Sequence, residues 1–131
     1  MENKFDFQVK KISEDKKWKY RAVSQLVSDW DRLVSTIHEY GYNDCLSEYD
    51  NDIWVRQQIE ELLTEQKLQD FMELVEFKAA VSEIDERLKT LFIPGIKRTD
   101  TNLWWEQGVL KNGTGYYLED VTNLKITGSI K

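Results

Sequence analysis

Apolar positions in the first third of the chain recur with the period of an α-helix. Val23, Leu26, Val27, Trp30, Leu33, Val34 and Ile37 fall at intervals of three and four, which places them on one face. Ser13, followed by Glu14 and Asp15, supplies a capping hydroxyl and acids for the positive end of the dipole, and Gly41 closes the run. The pattern predicts a helix over 14–40. Before it, Phe5, Phe7 and Val9 alternate with polar residues, the period of a short strand or of a packed arm.

Residues 41–52 read as a loop with at most one helical turn. Val55, Ile59, Leu62 and Leu63 mark a second helix from about 52 to Gln66. A third runs from about 68 to 92 and carries two apolar faces. Leu68, Met72, Val75 and Ala79 fall on one side, and Leu74, Phe77, Val81, Ile84, Leu88 and Leu91 nearly opposite. A helix of this kind is clasped by neighbours on both sides, is broken near 77–80, or keeps one face for another chain. Central packing is the reading preferred here. Pro94-Gly95 is expected to stop the helix. Beyond it, Asn112-Gly113 signals a small hairpin near 109–118, and a short helix around Leu103–Gln107 closed by Gly108 fits equally well.

The fold expected is mainly α: a small three-helix antiparallel bundle with a mixed C-terminal extension holding a short helix, a β-hairpin or both. It forms a single domain, with 1–12 as an arm, 13–92 as the bundle and 93–131 as the extension. Five of the six glycines lie after residue 94, which leaves the first ninety residues open to long helices.

Composition narrows the setting. At 131 residues, 40% hydrophobic and 32% charged, the chain can fill one core without staples. Cys45 is the sole cysteine, the usage of a reducing compartment, and the charged amino terminus lacks the apolar run of a signal peptide. No stretch approaches the roughly 20 apolar residues of a membrane span. A soluble cytoplasmic protein without membrane contact is therefore expected.

Net charge is −6, and its distribution changes the picture. Residues 44–92 carry five Lys and Arg against thirteen Asp and Glu, whereas the flanking segments are nearly balanced. A one-signed surface steers a partner of opposite sign, although a solvated helical face accounts for the same charges without any ligand. Residues 10–21 hold six bases with Trp18 and Tyr20 interleaved, but Glu14 and Asp15 interrupt them, and the chain as a whole repels a polyanion. Nucleic acid is disfavoured.

Catalytic motifs are sparse. Asp50-Asn51-Asp52 opens like a calcium loop with Glu61 twelfth, yet Trp54 and Val55 stand where an oxygen ligand and a glycine are required. His38, the single histidine, reads as a half-buried structural residue at the edge of the first helix, and Cys45 as inert. Glu60-Glu61 on one helix, with Glu83 and Glu86 on the next, resembles the acidic pattern by which all-α nucleotide pyrophosphatases hold magnesium. That resemblance implies a Mg-dependent hydrolase with these four carboxylates as ligands. Thr64 and Glu86 depart from the family pattern at two positions, and coincidence in an acid-rich chain is the preferred account.

Five tryptophans are the most unusual feature. Trp104 and Trp105 are adjacent, and adjacent side chains point about 100° apart on a helix. At least one ring is therefore expected partly exposed or beneath a flap, where tryptophan often anchors a partner. A small acidic helical layout without a catalytic signature resembles the proteins that bacteria encode to bind and block toxins or nucleases. The expectation drawn is a non-catalytic module, immunity-like or a regulatory adaptor, that needs no cofactor. It docks a basic protein through Asp44, Glu48, Asp50, Asp52, Trp104 and Trp105. Self-association through the spare face of the third helix is a further alternative.

Overall fold

The computed structural model describes residues 3–124, and they are mainly helical with one small antiparallel sheet. The chain opens with α1 (Lys4–Asp15), where a strand or arm was expected. Asn3 caps it by accepting the Asp6 amide at 2.8 Å. Phe5, Val9 and Ile12, spaced by four and three, all point inward, and Phe7 stays in solvent. The helical period thus wins over the alternation of Phe5, Phe7 and Val9. Ser13 does not start the next helix. It lies buried in the last turn of α1, where its hydroxyl donates to the Val9 carbonyl at 2.9 Å.

Lys17, at φ 59°, turns the chain out of α1, and the helix expected over 14–40 begins only at Val23. In α2 (Val23–Tyr40), Leu26, Trp30, Val34 and Ile37 are buried along the predicted stripe. Gly41 ends it as expected, at φ 76°, with its amide on the Ile37 carbonyl at 2.8 Å. A β-carbon there would stand 2.5 Å from the Asn112 carbonyl oxygen, so this turn accepts only glycine without strain.

Residues expected as loop contain α3 (Leu46–Asp52), whose Tyr49 is completely buried. Its first amide, on Leu46, is satisfied at 2.9 Å by Asp120 from the other end of the chain. α4 (Trp54–Leu63) buries Val55, Ile59 and Leu62 and stops three residues short of Gln66. A single 3-10 turn (Gln66–Leu68) leads to α5 (Met72–Lys89).

α5 runs unbroken through 77–80 and buries only one of its two apolar faces: Leu74, Phe77, Val81, Ile84 and Leu88. Met72, Val75 and Ala79 are exposed, so no neighbour clasps that side. Leu68 is buried, but in the 3-10 turn ahead of the helix. α2 and α5 form the most extensive helix pair, and α2 also packs on α4.

α5 ends at Lys89, and Pro94-Gly95 falls within β1 (Phe92–Lys97). After α6 (Trp104–Gln107), the expected short helix, β2 (Gly108–Leu110) pairs antiparallel with β1, Phe92 opposite Leu110 and Lys97 opposite Gly108, with an irregularity between. The hairpin expected at Asn112-Gly113 does not form. Those residues connect β2 to α7 (Gly115–Thr122), and Gly113 makes an isolated bridge to Tyr42. Trp105, Val109, Leu110, Tyr117 and Val121 join the same buried cluster as the helices before them.

Candidate functional site

A polar knot sits inside the core. Trp30 Nε1 donates to Asp85 Oδ1 at 2.9 Å, and Arg56 grips both oxygens of Asp85 through Nε and NH2 at 3.0 Å each. The remaining Arg56 nitrogen reaches Glu60 at 3.0 Å. Trp105 covers this guanidinium and is only 3% exposed. Trp104, half-buried, meets Trp105 and Phe92 edge-on and lies 4.8 Å beneath the Lys89 ammonium. The two indoles thus close off a buried ion pair and do not line the acidic surface.

The carboxylates of residues 44–52 divide. Asp50 reaches Arg98 at 2.6 Å. Asp44, Glu48 and Asp52 line a groove of about 380 Å³ together with Tyr40 and Tyr42. α3 is what gathers them. Asp44 fixes its start by accepting the Cys45 amide at 2.7 Å, Glu48 lies in its first turn, and Asp52 ends it. Tyr42 donates to Asp52 at 2.7 Å from the groove floor. Burial, reinforced by Asp52 and by the charges of Asp44 and Glu48, pushes the Tyr42 phenol well above its ordinary range, so it remains a donor.

Thr36 and Asp52 also line a second groove of about 400 Å³, which adjoins the first. Its aromatic wall is Trp54, 50% exposed. Tyr40, 78% exposed, stands at the acidic end. Tyr116, 68% exposed, is tied to the rim by its amide on the Asn43 carbonyl at 3.1 Å. The tryptophan beside the acids is therefore Trp54. Sequence reasoning passed over it, although the signal was there: Trp54 is out of phase with the Val55, Ile59, Leu62 stripe.

Cations at the Trp54 end are engaged. Arg21 holds Asp29 at 2.8 Å and Arg32 approaches the same carboxylate at 3.5 Å. Burial opposes ionisation of Asp29, but hydrogen bonds from Gln25 and Arg21, with the charges of Arg21 and Arg32, outweigh it and hold its pKa below the ordinary value of 3.8.

The magnesium pattern is not assembled. Glu60 pairs with Arg56, Glu61 with Lys16 at 3.1 Å and Glu86 with Lys89 at 3.2 Å, while Glu83 is exposed. Among the described residues, no three His, Cys, Asp or Glu are grouped so as to hold a metal. His38, expected half-buried, is exposed. The basic run of residues 10–21 folds on itself, with Lys10 over Tyr20 and Lys16 over Trp18 at 5.3 and 5.4 Å. Among the described residues no helix is long and apolar enough to cross a membrane.

Comparison with known proteins finds no family, no curated protein and no solved structure that matches this chain.

Proposed function

We propose that this chain is a non-catalytic, acidic protein-binding module, in kind like an immunity protein or regulatory adaptor. It docks a basic partner on the face running from Tyr40 to Trp54. Helices α2, α4 and α5, read as a three-helix antiparallel bundle, are its frame. The observation that carries this reading is the exposed Tyr40 ring in one groove with the carboxylates of Asp44, Glu48 and Asp52, adjoining a groove that Asp52 shares with exposed Trp54.

The chemistry suits lysine and arginine. A guanidinium or ammonium laid on an exposed aromatic face gains about 0.5–2 kcal/mol, more as water is excluded. The carboxylates supply the opposing charge and speed encounter. Exposed Met72, Val75 and Ala79 cover only two turns of α5. That falls far short of the roughly 800 Å² per partner of a stable dimer, so a different chain is the preferred occupant.

Photocrosslinking in the native cell tests the reading. A benzoylphenylalanine placed at Tyr40 or Trp54 should trap a basic protein in a salt-sensitive manner, and the same probe at Met72 should trap nothing. Equal trapping from Met72, or none from the aromatic face, would count against it.

A further inference from the structure

A third groove, separate from the acidic face, lies between β1 and α6. Its floor is apolar: Phe92, Ile93 and Trp104 are half-buried against the core and still line about 380 Å³ of open space. Its charges are of the opposite sign. Lys89 precedes the strand and Lys97 ends it, so two ammonium groups flank the apolar residues of β1. Lys97 is exposed and has no ion partner among the described residues, and Lys89 is held over the Trp104 ring by Glu86. β1 pairs with β2 at Phe92 and Lys97, and the residues between them, with Pro94 and with Gly95 at φ 77°, depart from the register and form the groove's other wall.

We infer that this groove binds an extended acidic peptide segment of a partner protein, one that carries a bulky apolar side chain. The apolar side chain enters between Phe92, Ile93 and Trp104, and flanking carboxylates meet Lys89 and Lys97. Charge complementarity selects the occupant. Lys97, unpaired among the described residues at the rim of an apolar floor, with Lys89 beside it, attracts an acidic segment locally, against the repulsion of a chain whose net charge is −6.

The test uses a short fluorescein-labelled peptide alternating Asp with Leu and Phe, read by anisotropy at low salt against the full chain. Two controls replace every Asp by Lys, or every Leu and Phe by Gly. The Asp–Leu–Phe peptide should bind in the micromolar range, and both controls should fail. Lys97→Glu, at an exposed site that leaves folding intact, should weaken binding roughly tenfold. Trp54→Ala should leave it unchanged, which separates this groove from the acidic face. No binding, equal binding of the Lys control, or indifference to Lys97→Glu overturns the proposal. Self-association of the protein that Lys97→Glu abolishes, without peptide binding, also overturns it, by naming a second copy as the occupant.

Discussion

Arg56 lies against Trp105, its guanidinium carbon 4.4 Å from the ring centre, and in the same position holds both oxygens of Asp85. Arg56 and Asp85 are buried among apolar side chains. A charge pair removed from water tolerates the loss of both partners better than the loss of one. Trp105 therefore serves the interior, and the docking surface proposed above draws on other aromatic residues.

Asp85→Ala should destabilise the fold by about 3–5 kcal/mol in urea denaturation, because it leaves the buried Arg56 charge with Glu60 alone and strands the Trp30 N–H. Arg56→Met combined with Asp85→Leu should cost clearly less than Asp85→Ala alone. A double variant at least as unstable as the single one would contradict this account of the knot.

Three tyrosines set the alkaline limit. Burial raises the phenols of Tyr42, Tyr49 and Tyr117 above their ordinary value of 10.0. The unfolded chain releases these protons first, so the stability they contribute is whole below pH 10 and falls as pH rises beyond it. Tyrosinate absorbance of these three should appear together with the loss of helical circular dichroism. Their ionisation in a still-folded chain would refute it.

Asp29 acts at the other end of the scale. Its pKa is lowered on folding, so its contribution is present above 3.8 and is lost as pH falls through the folded value. Asp29→Asn should flatten the loss of stability between about pH 5 and 3 relative to the parent chain. Parallel acid profiles for the two proteins would exclude this role.

Glycine substitutions separate backbone strain from steric exclusion. Gly41 and Gly95 share a positive φ, but a β-carbon at Gly41 meets the Asn112 oxygen at 2.5 Å and one at Gly95 meets nothing within 4 Å. Gly95→Ala should cost about 1 kcal/mol, from strain alone, and Gly41→Ala about 2–3 kcal/mol. Equal thermal shifts would show that the Asn112 contact yields easily.

What was legible in the sequence was whatever a local period decides. The stripe Leu26, Trp30, Val34, Ile37 in α2 and the row Leu74, Phe77, Val81, Ile84, Leu88 in α5 lie buried where their spacing puts them. Phe5-Phe7-Val9 obeys a period of two as a triplet, and only Ile12 shows that the longer period governs. α3 was hidden because part of what holds it is distant: Asp120 satisfies its first amide, and Tyr49 packs on Tyr42 and Tyr117. The pairing of β1 with β2 spans α6 and so escapes a reading that looks for tight turns. In the candidate site, Asp44, Glu48 and Asp52 come together through α3. Trp54, which shares a groove with Asp52, is a single ring out of phase on α4 and stands out less in the sequence than two adjacent tryptophans.

Nuclear magnetic resonance mapping of an arginine- and lysine-rich peptide onto the isotopically labelled protein measures the central claim most directly. The account predicts amide shifts concentrated between Thr36 and Trp54, together with the Trp54 indole N–H, and their loss when Asp52→Lys and Trp54→Ala are combined. Shifts spread evenly over the acids of α5, such as Glu73, Glu76 and Glu83, would show that the peptide follows net charge alone and that this face is not a docking site.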